Sequence, residues 1–216
     1  MIKPYYEKDG IAIYHSDCRE ILSMLGPVDL VLTDPPYGIE YVTARRSRTD
    51  PLVAPIVGDT YYPRAVIESC KVIARSGVLA FARGAPMGAD SIIIWVKDNW
   101  SVGDLEHGYG NMWESILWWA GPNHSWAKGR PHNVLYASRV PGSAMVHPTE
   151  KPLSLLRELI SHHNGHTVLD PFMGSGTTLR AAKDLGRKAI GIEIEERYCE
   201  LAAKRLAQEV LPLRGK

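Results

Sequence analysis

One short run of the chain combines the groups that could bind and activate a planar amine. Residues 33–37 read Thr-Asp-Pro-Pro-Tyr and directly follow the apolar run 29–32. The two prolines remove backbone donors and fix φ, so the turn holds its polar and aromatic groups in a stiff array. An amino group conjugated to a ring is a poor nucleophile, because its lone pair is delocalised. Asp34 and the Pro35 carbonyl could accept its two hydrogens while Tyr37 stacks on the ring.

Taken alone, that run also fits an ordinary proline-containing turn, but a second segment favours chemistry. Residues 170–178 read Asp-Pro-Phe-Met-Gly-Ser-Gly-Thr-Thr, between the apolar residues 167–169 and a helical stretch. Glycines let a ligand approach the backbone, and the N-terminus of the next helix offers N–H groups to a carboxylate. The segment lacks the Gly-Lys-Ser/Thr ending of a nucleotide P-loop. Glu193 ends the next apolar run and is an acid suited to a ribose diol.

With two further elements, these motifs resemble the DNA N4/N6 amino-methyltransferase family, in the permuted order in which the Asp-Pro-Pro-Tyr turn precedes the cofactor loop. Residues 147–152 match the family's His-Pro-x-x-Lys-Pro element, and residues 16–18 resemble the element that holds the cofactor adenine. The resemblance covers nearly the whole chain. It implies S-adenosyl-L-methionine as cofactor and direct methyl transfer to the exocyclic nitrogen of a base rotated out of DNA.

Carried over by position, the resemblance assigns a catalytic turn and a cofactor site. The catalytic residues are Asp34, Pro35, Pro36 and Tyr37. The cofactor residues are Asp17, Cys18, Lys151, Asp170, Phe172, Gly174, Ser175, Gly176, Thr177 and Glu193. Asp17 would accept from the adenine amino group, and Glu193 would bind the ribose hydroxyls. Asp170 and Thr177 would contact the methionine end, whose carboxylate would pair with Lys151.

The first residue of the catalytic turn favours adenine as the target base. Asp34 matches most N6-adenine members of the family, whereas N4-cytosine members more often carry Ser there, so cytosine N4 is the first alternative. Methylation of RNA or of a protein glutamine is a further alternative, but those relatives usually show Asn-Pro-Pro-Tyr. A catalytically silent cofactor- or DNA-binding protein would be expected to carry a damaged turn or glycine loop, and both are intact.

Two basic segments fall outside the regular pattern and could contact DNA. Residues 39–59 are predicted to form a mobile DNA-contact loop, and residues 121–147 a small target-recognition segment. The candidate DNA-binding residues are Arg45, Arg46, Arg48, Lys128, Arg130 and Arg139. The net charge is only +1, so affinity for DNA must come from such local patches. The alternative is a solvated loop surface.

The elements that position these motifs indicate one α/β domain over residues 1–216. Val-, Ile- and Leu-rich runs alternate with helical stretches, which predicts a doubly wound, mostly parallel, seven-stranded Rossmann-like methyltransferase sheet with helices on both faces. The predicted strands are 11–15, 29–33, 78–82, 114–119, 134–137, 167–169 and 189–192. The predicted helices are 19–25, 64–74, 153–162, 177–185 and 195–208.

Cysteine usage and hydropathy argue against several other classes of protein. Cys18, Cys70 and Cys199 form no CxxC pair, which argues against a disulfide framework and a zinc site, and no metal is predicted. None of them follows a proline, as a C5-cytosine methyltransferase would require. The apolar run 92–96 is far shorter than the ~20 residues of a membrane span. We therefore expect a cytoplasmic enzyme acting on DNA, and the resemblance adds a homodimer and a cognate restriction nuclease as candidate partners.

Overall fold

The computed structural model describes residues 2–37, 62–82, 88–101, 110–140 and 150–208. The strands in these ranges are β1 (Tyr6–Lys8), β2 (Ile11–His15), β3 (Val28–Thr33), β4 (Ala74–Ala82), β5 (Ser91–Ser101), β6 (Asn111–Ala120), β7 (Val134–Tyr136), β8 (Thr167–Asp170) and β9 (Lys188–Glu193). The helices are α1 (Cys18–Leu22), α2 (Arg64–Ile73), α3 (Leu153–Ser161), α4 (Thr177–Asp184) and α5 (Glu196–Ala207).

The strands form one sheet in the order β1-β2-β9-β8-β3-β4-β6-β5-β7. The five consecutive strands β2, β9, β8, β3 and β4 are parallel to one another. Strand β1 is antiparallel to β2, β6 is antiparallel to both β4 and β5, and β7 is parallel to β5. The predicted doubly wound, mostly parallel sheet is therefore confirmed.

The predicted strand number was wrong, because the described residues contain nine strands rather than seven. The missed strands are β1 and β5. Strand β1 has only three residues, Tyr-Glu-Lys, and none of them is buried, so it has no hydrophobic pattern to detect. Strand β5 contains the apolar run 92–96, whose unbroken hydrophobicity fits a buried strand or a helix segment equally well. The other seven strands and the five helices lie where they were predicted, with ends that differ by a few residues.

Helices cover both faces of the sheet, as β3 illustrates. Leu30 and Leu32 point to the core shared with α3, α4 and α5, whereas Val31 points to the core shared with α1 and α2. Alternate residues of a strand face opposite sides of its sheet, so a strand buried on both faces has to be apolar throughout. Each such side chain contributes roughly 1.5–3 kcal/mol on burial. Because β3 is buried on both faces, its position in the sheet is fixed, and so is the position of the catalytic turn that follows it.

The three cysteines are buried, and none of them forms a disulfide bond. Within the described ranges no cluster of His, Cys, Asp or Glu has the size of a metal site. None of the described helices is long and apolar enough to cross a membrane.

Candidate active site

The two sequence motifs meet at the edge of the sheet where the parallel strands have their carboxyl ends, which we call the catalytic edge. Strand β3 ends at Thr33, immediately before Asp34, and the neighbouring strand β8 ends at Asp170. The hydroxyl of Thr33 donates to Asp170 Oδ1 over 2.8 Å, in a buried hydrogen bond between the two strand ends. Glu193 ends β9, the next strand of the sheet. Parallel strands bring their carboxyl ends to the same edge, so the catalytic turn and the glycine loop lie side by side.

In the catalytic turn, the Asp34 carboxylate has a partner for each oxygen. The Tyr37 hydroxyl donates to Oδ1 over 2.7 Å, and the Lys151 ammonium lies 2.8 Å from Oδ2. Burial raises the pKa of Asp34, and the Lys151 charge opposes that rise. Burial and the nearby Asp34 charge raise the pKa of Tyr37 well above its usual value, so its hydroxyl remains a donor. The turn therefore presents a carboxylate and an adjacent aromatic ring, as predicted from the sequence.

Lys151 is buried between two carboxylates of the protein. Its ammonium lies 3.2 Å from Glu114 Oε2 as well as against Asp34, and its side chain is only 8% exposed. Both carboxylates raise the pKa of Lys151, although burial opposes them. The predicted pairing of Lys151 with a methionine carboxylate stays a prediction, because a cofactor would have to share this ammonium with Asp34 and Glu114.

Glu114 and Lys97 are site residues that sequence reasoning missed. Glu114 lies on β6 and Lys97 on β5, and the Lys97 ammonium is 2.5 Å from Glu114 Oε1. The available signal was a charged residue inside each of two apolar strand segments, 92–97 and 113–119. A charge is rarely buried in a strand unless it is paired.

The glycine loop has the backbone conformation that its sequence predicts. Gly174 and Gly176 have φ values of 49° and 78°, in the left-handed region that favours glycine. A Cβ at position 176 would lie 2.7 Å from the Cβ of Ala202 on α5. Gly176 therefore also allows α4 to pack closely against α5.

Ser175 and Thr177 already have protein partners in the loop. Both are buried, and the Arg205 guanidinium donates to Thr177 Oγ1 over 2.6 Å and to Ser175 Oγ over 3.4 Å. A second nitrogen of Arg205 donates to Glu150 Oε1 over 2.6 Å. The residue before Lys151 is thereby attached to the start of α4.

Two carboxyl groups at the strand ends are held by backbone donors. Glu193 accepts from the N–H groups of Gly174 and Glu195, over 3.0 and 2.8 Å, and burial raises its pKa to about 7. Asp170 accepts from the Phe172 N–H over 3.1 Å, and burial raises its pKa to about 6. These bonds fix both groups beside the glycine loop, where the remaining acceptor capacity suits the hydroxyls and the ammonium of a nucleoside-like cofactor.

The predicted adenine end of the site lies beyond β2. Asp17 caps α1 by accepting from the Arg19 N–H over 2.9 Å, and it forms an ion pair with the Arg19 side chain. Cys18 is buried, and burial raises the pKa of its thiol to about 11, so it is not a nucleophile. Phe172 packs against the same hydrophobic cluster as Cys18, and this contact brings the glycine loop close to the end of β2.

The predicted DNA contacts divide into three groups. Arg45, Arg46 and Arg48 lie outside the described residues, as do residues 141–147 of the predicted recognition segment. Lys128 and Arg130 are exposed, but they follow residues bonded to the opposite edge of the sheet: the Asn123 N–H donates to the Arg75 carbonyl at the start of β4, and the Ala127 N–H to the His162 carbonyl after α3. Of the three candidates that the structure describes, only Arg139 lies near the catalytic edge, where its N–H donates to Asp98 over 3.3 Å.

Comparison with known proteins identifies the family. The family model described as DNA methylase matches residues 120–204. The chain is 31% identical to YubD of Escherichia coli (strain K12), named as a methylase, over 88% of each chain. It is 29% identical to the type II methyltransferase M2.DpnII of Streptococcus pneumoniae, over 97% of this chain and 94% of that one. The crystal structure of an M1.HpyAVI–SAM complex matches with a TM-score of 0.67 and 27% identity, over 91% of this chain and 99% of that one. This chain therefore belongs to the DNA N4/N6 amino-methyltransferase family.

Proposed function

We propose that this DNA amino-methyltransferase acts on N6 of adenine and uses S-adenosylmethionine as its methyl donor. The observation that carries the proposal is the Asp34 carboxylate, which lies at the catalytic edge of the sheet between Tyr37 and Lys151. A carboxylate at the first position of this turn, rather than a hydroxyl, favours adenine by the family pattern.

The Asp34 side chain can activate an amino group only while it is ionised. Burial raises its pKa, but the ammonium at 2.8 Å stabilises the charged form and so retains an acceptor in a site that excludes most water. A base amino group that donates to Asp34 and to the Pro35 carbonyl has its lone pair directed away from the ring plane. The two acceptors then stabilise the transition state more than the ground state, and this difference makes the methyl transfer faster.

The residues beside the catalytic turn fit the proposed methyl donor. Glu193 offers carboxylate oxygens to a ribose diol, and the first turn of α4, beginning at Thr177, offers N–H groups to a carboxylate. When bound, the donor supplies a methyl group on a sulfonium. Asp170 and Glu193 lie beside the glycine loop and carry negative charge when ionised, which favours a cationic ligand. The chain's contribution is therefore orientation, exclusion of water and acceptance of the amino hydrogens.

Nucleoside analysis after methylation tests the proposal. Unmethylated genomic DNA is incubated with the protein and S-adenosylmethionine labelled in its methyl group, and the DNA is then digested and its nucleosides separated. The expected product is N6-methyldeoxyadenosine. Label in N4-methyldeoxycytidine would transfer the function to cytosine, and label confined to RNA or protein would reject the DNA substrate. Asp34→Ala, which removes both acceptor oxygens of the side chain, is the inactive control.

A further inference from the structure

Four charged side chains from four elements form one buried network behind the catalytic turn. In order they are Asp34 after β3, Lys151 before α3, Glu114 on β6 and Lys97 on β5. The Lys151 Nζ is 2.8 Å from Asp34 and 3.2 Å from Glu114, and the Lys97 Nζ is 2.5 Å from Glu114. Anions and cations alternate along the network, and their formal charges cancel.

The surroundings of the two lysines keep most water away from their ammonium groups. The Lys151 and Lys97 side chains are 8% and 5% exposed. Lys151 Nζ lies 4.9 Å from the centroid of the Phe81 ring, and Lys97 Nζ lies 5.2 Å from that of Trp95. Aromatic faces attract ammonium groups and replace part of their hydration. Charges in such a place interact more strongly than they would in water, so each member of the network affects the others.

The Lys151 ammonium is shared, and sharing limits how far it neutralises Asp34. A cation bound to one carboxylate alone lowers the proton affinity of that carboxylate, and a carboxylate of lower proton affinity is a weaker hydrogen-bond acceptor. Glu114 competes for the same ammonium, which lies 3.2 Å from its Oε2. Lys97 pairs with Glu114 and neutralises part of its charge, which weakens the attraction of Glu114 for Lys151.

We propose that Glu114 is a positioning residue for methyl transfer, which shares the Lys151 ammonium with Asp34 so that Asp34 remains a strong acceptor for the target amino group. The proposal deepens, and rests on, the function proposed above. Glu114 acts through Lys151, and Lys97 acts through Glu114.

Several charged and titratable groups act on Asp34. Lys151 lowers the pKa of Asp34, whereas burial and Glu114 raise it, and the Tyr37 hydroxyl donates to it. Tyr62, which precedes α2, and Asp170, which ends β8, also interact electrostatically with Asp34. Loss of the Glu114 charge therefore lowers the pKa of Asp34. Loss of Lys97 leaves the Glu114 charge less compensated and raises the pKa of Asp34.

Two variants with opposite expected shifts test the proposal. The rate constant kcat for transfer of labelled methyl groups to DNA is measured against pH for the wild-type protein, Glu114→Gln and Lys97→Met, with both substrates saturating. Glu114→Gln should lower the plateau by about tenfold and move the acid limb to lower pH, because Asp34 becomes a weaker base. Lys97→Met should move the acid limb to higher pH. The KM for DNA should change by less than about threefold in both variants.

Asp184→Asn is the matched control for loss of a buried, ion-paired carboxylate. Asp184 pairs with Arg180 over 2.7 Å and with Arg157 over 3.5 Å at the end of α4 that lies away from the site. It should lower the unfolding temperature without moving the acid limb. Acid limbs that stay in place, or that move in the same direction in both test variants, would overturn the proposal. If Glu114→Gln does not fold, the direction of the Lys97→Met shift decides alone. A wild-type protein that methylates no DNA would instead reject the proposed function.

Discussion

Single hydrogen bonds at the strand ends join motifs that are far apart in the chain. The Thr33 hydroxyl holds Asp170, whose carboxyl group is buried and has a pKa raised to about 6. A buried carboxyl group without such a donor would be costly, because its lost hydration would not be replaced. The bond therefore adds a side-chain link to the backbone pairing of β3 with β8 and holds the Asp170 carboxyl group beside the start of the catalytic turn.

Replacement of Asp34 by alanine should separate chemistry from cofactor binding. The variant side chain has no acceptor for the amino hydrogens of the base, so methyl transfer should fall below detection. Affinity for S-adenosylmethionine should stay within about tenfold, or ~1.4 kcal/mol, because the proposed role places Asp34 against the base and not against the cofactor. Turnover on DNA and calorimetric affinity measure the two properties. Near-normal turnover of the variant would contradict the role assigned to the catalytic turn.

Glu193 should make cofactor affinity depend on pH near neutrality. Its pKa is raised to about 7, and the ionised form is the better acceptor for ribose hydroxyls. Affinity for S-adenosylmethionine should therefore fall about tenfold between about pH 8 and about pH 6, as Glu193 becomes protonated. Calorimetry at the two pH values provides the measurement. In Glu193→Gln the affinity should be low and nearly independent of pH; an unchanged pH dependence would assign it to another group.

At the level of the elements, the glycine loop before α4 should tolerate substitution even less well than expected from its left-handed backbone conformation alone. Gly176→Val places a branched side chain at a φ of 78° and against Ala202, so both α4 packing and cofactor binding should be lost. Gly186→Ala is the control: its φ is 68°, but a Cβ there meets no atom within 4 Å. That variant should lose about 1–2 kcal/mol of stability and keep its affinity for S-adenosylmethionine. Calorimetric affinity in Gly176→Val equal to that of the wild-type protein would reject the loop as a cofactor site.

The same elements explain which parts of the site could be predicted from sequence. Asp34, Asp170 and Glu193 each follow or end an apolar run, so a parallel sheet alone predicts that they share an edge. The contact of Lys151 with Glu114 depends instead on β6 pairing with β4, and antiparallel insertions of this kind leave no local pattern. Strand β5 was missed for the related reason that a short apolar run does not specify its own secondary structure.

At the scale of the whole molecule, a buried histidine should make the fold sensitive to acid. His163 packs against Trp118 and Trp126, with ring centroids 4.4 and 5.1 Å away, and burial lowers its pKa to about 3. The unfolded chain takes up a proton near pH 6.5 and the folded chain does not, so stability is lost as the pH falls from about 6.5 toward 3. At pH 5 the loss should be about 2 kcal/mol.

The variant His163→Phe isolates this contribution from opposing groups. Asp170 and Glu193 have raised pKa values, so they add stability as the pH falls and partly hide the histidine effect. Denaturant unfolding of the wild-type protein and the variant at pH 7 and pH 5 removes those common terms. Between pH 7 and pH 5, the wild-type protein should lose more unfolding free energy than the variant. A difference independent of pH would show that His163 is protonated equally in both states.

The position of the DNA depends on the whole surface, and the three predicted basic residues that the structure describes lie at opposite edges of the sheet. Arg139 lies near the end of β5 on the catalytic side, whereas Lys128 and Arg130 follow residues bonded to the start of β4 and the end of α3. In the proposed function a flipped base would reach Asp34, which would place the flanking phosphates over the catalytic edge. Arg139 is therefore the better placed to neutralise one of them.

Salt dependence of DNA binding distinguishes the two edges. Each phosphate neutralised contributes about 0.9 to the slope of log affinity against log salt concentration. Arg139→Ala should therefore weaken binding to duplex DNA and reduce the slope by about one, with affinity for S-adenosylmethionine unchanged. The double variant Lys128→Ala with Arg130→Ala removes more charge and is the matched control, and it should leave the slope as it is. A reduced slope in the double variant and an unchanged slope in Arg139→Ala would place the DNA across residues 121–133 and would require a longer path from the duplex to Asp34.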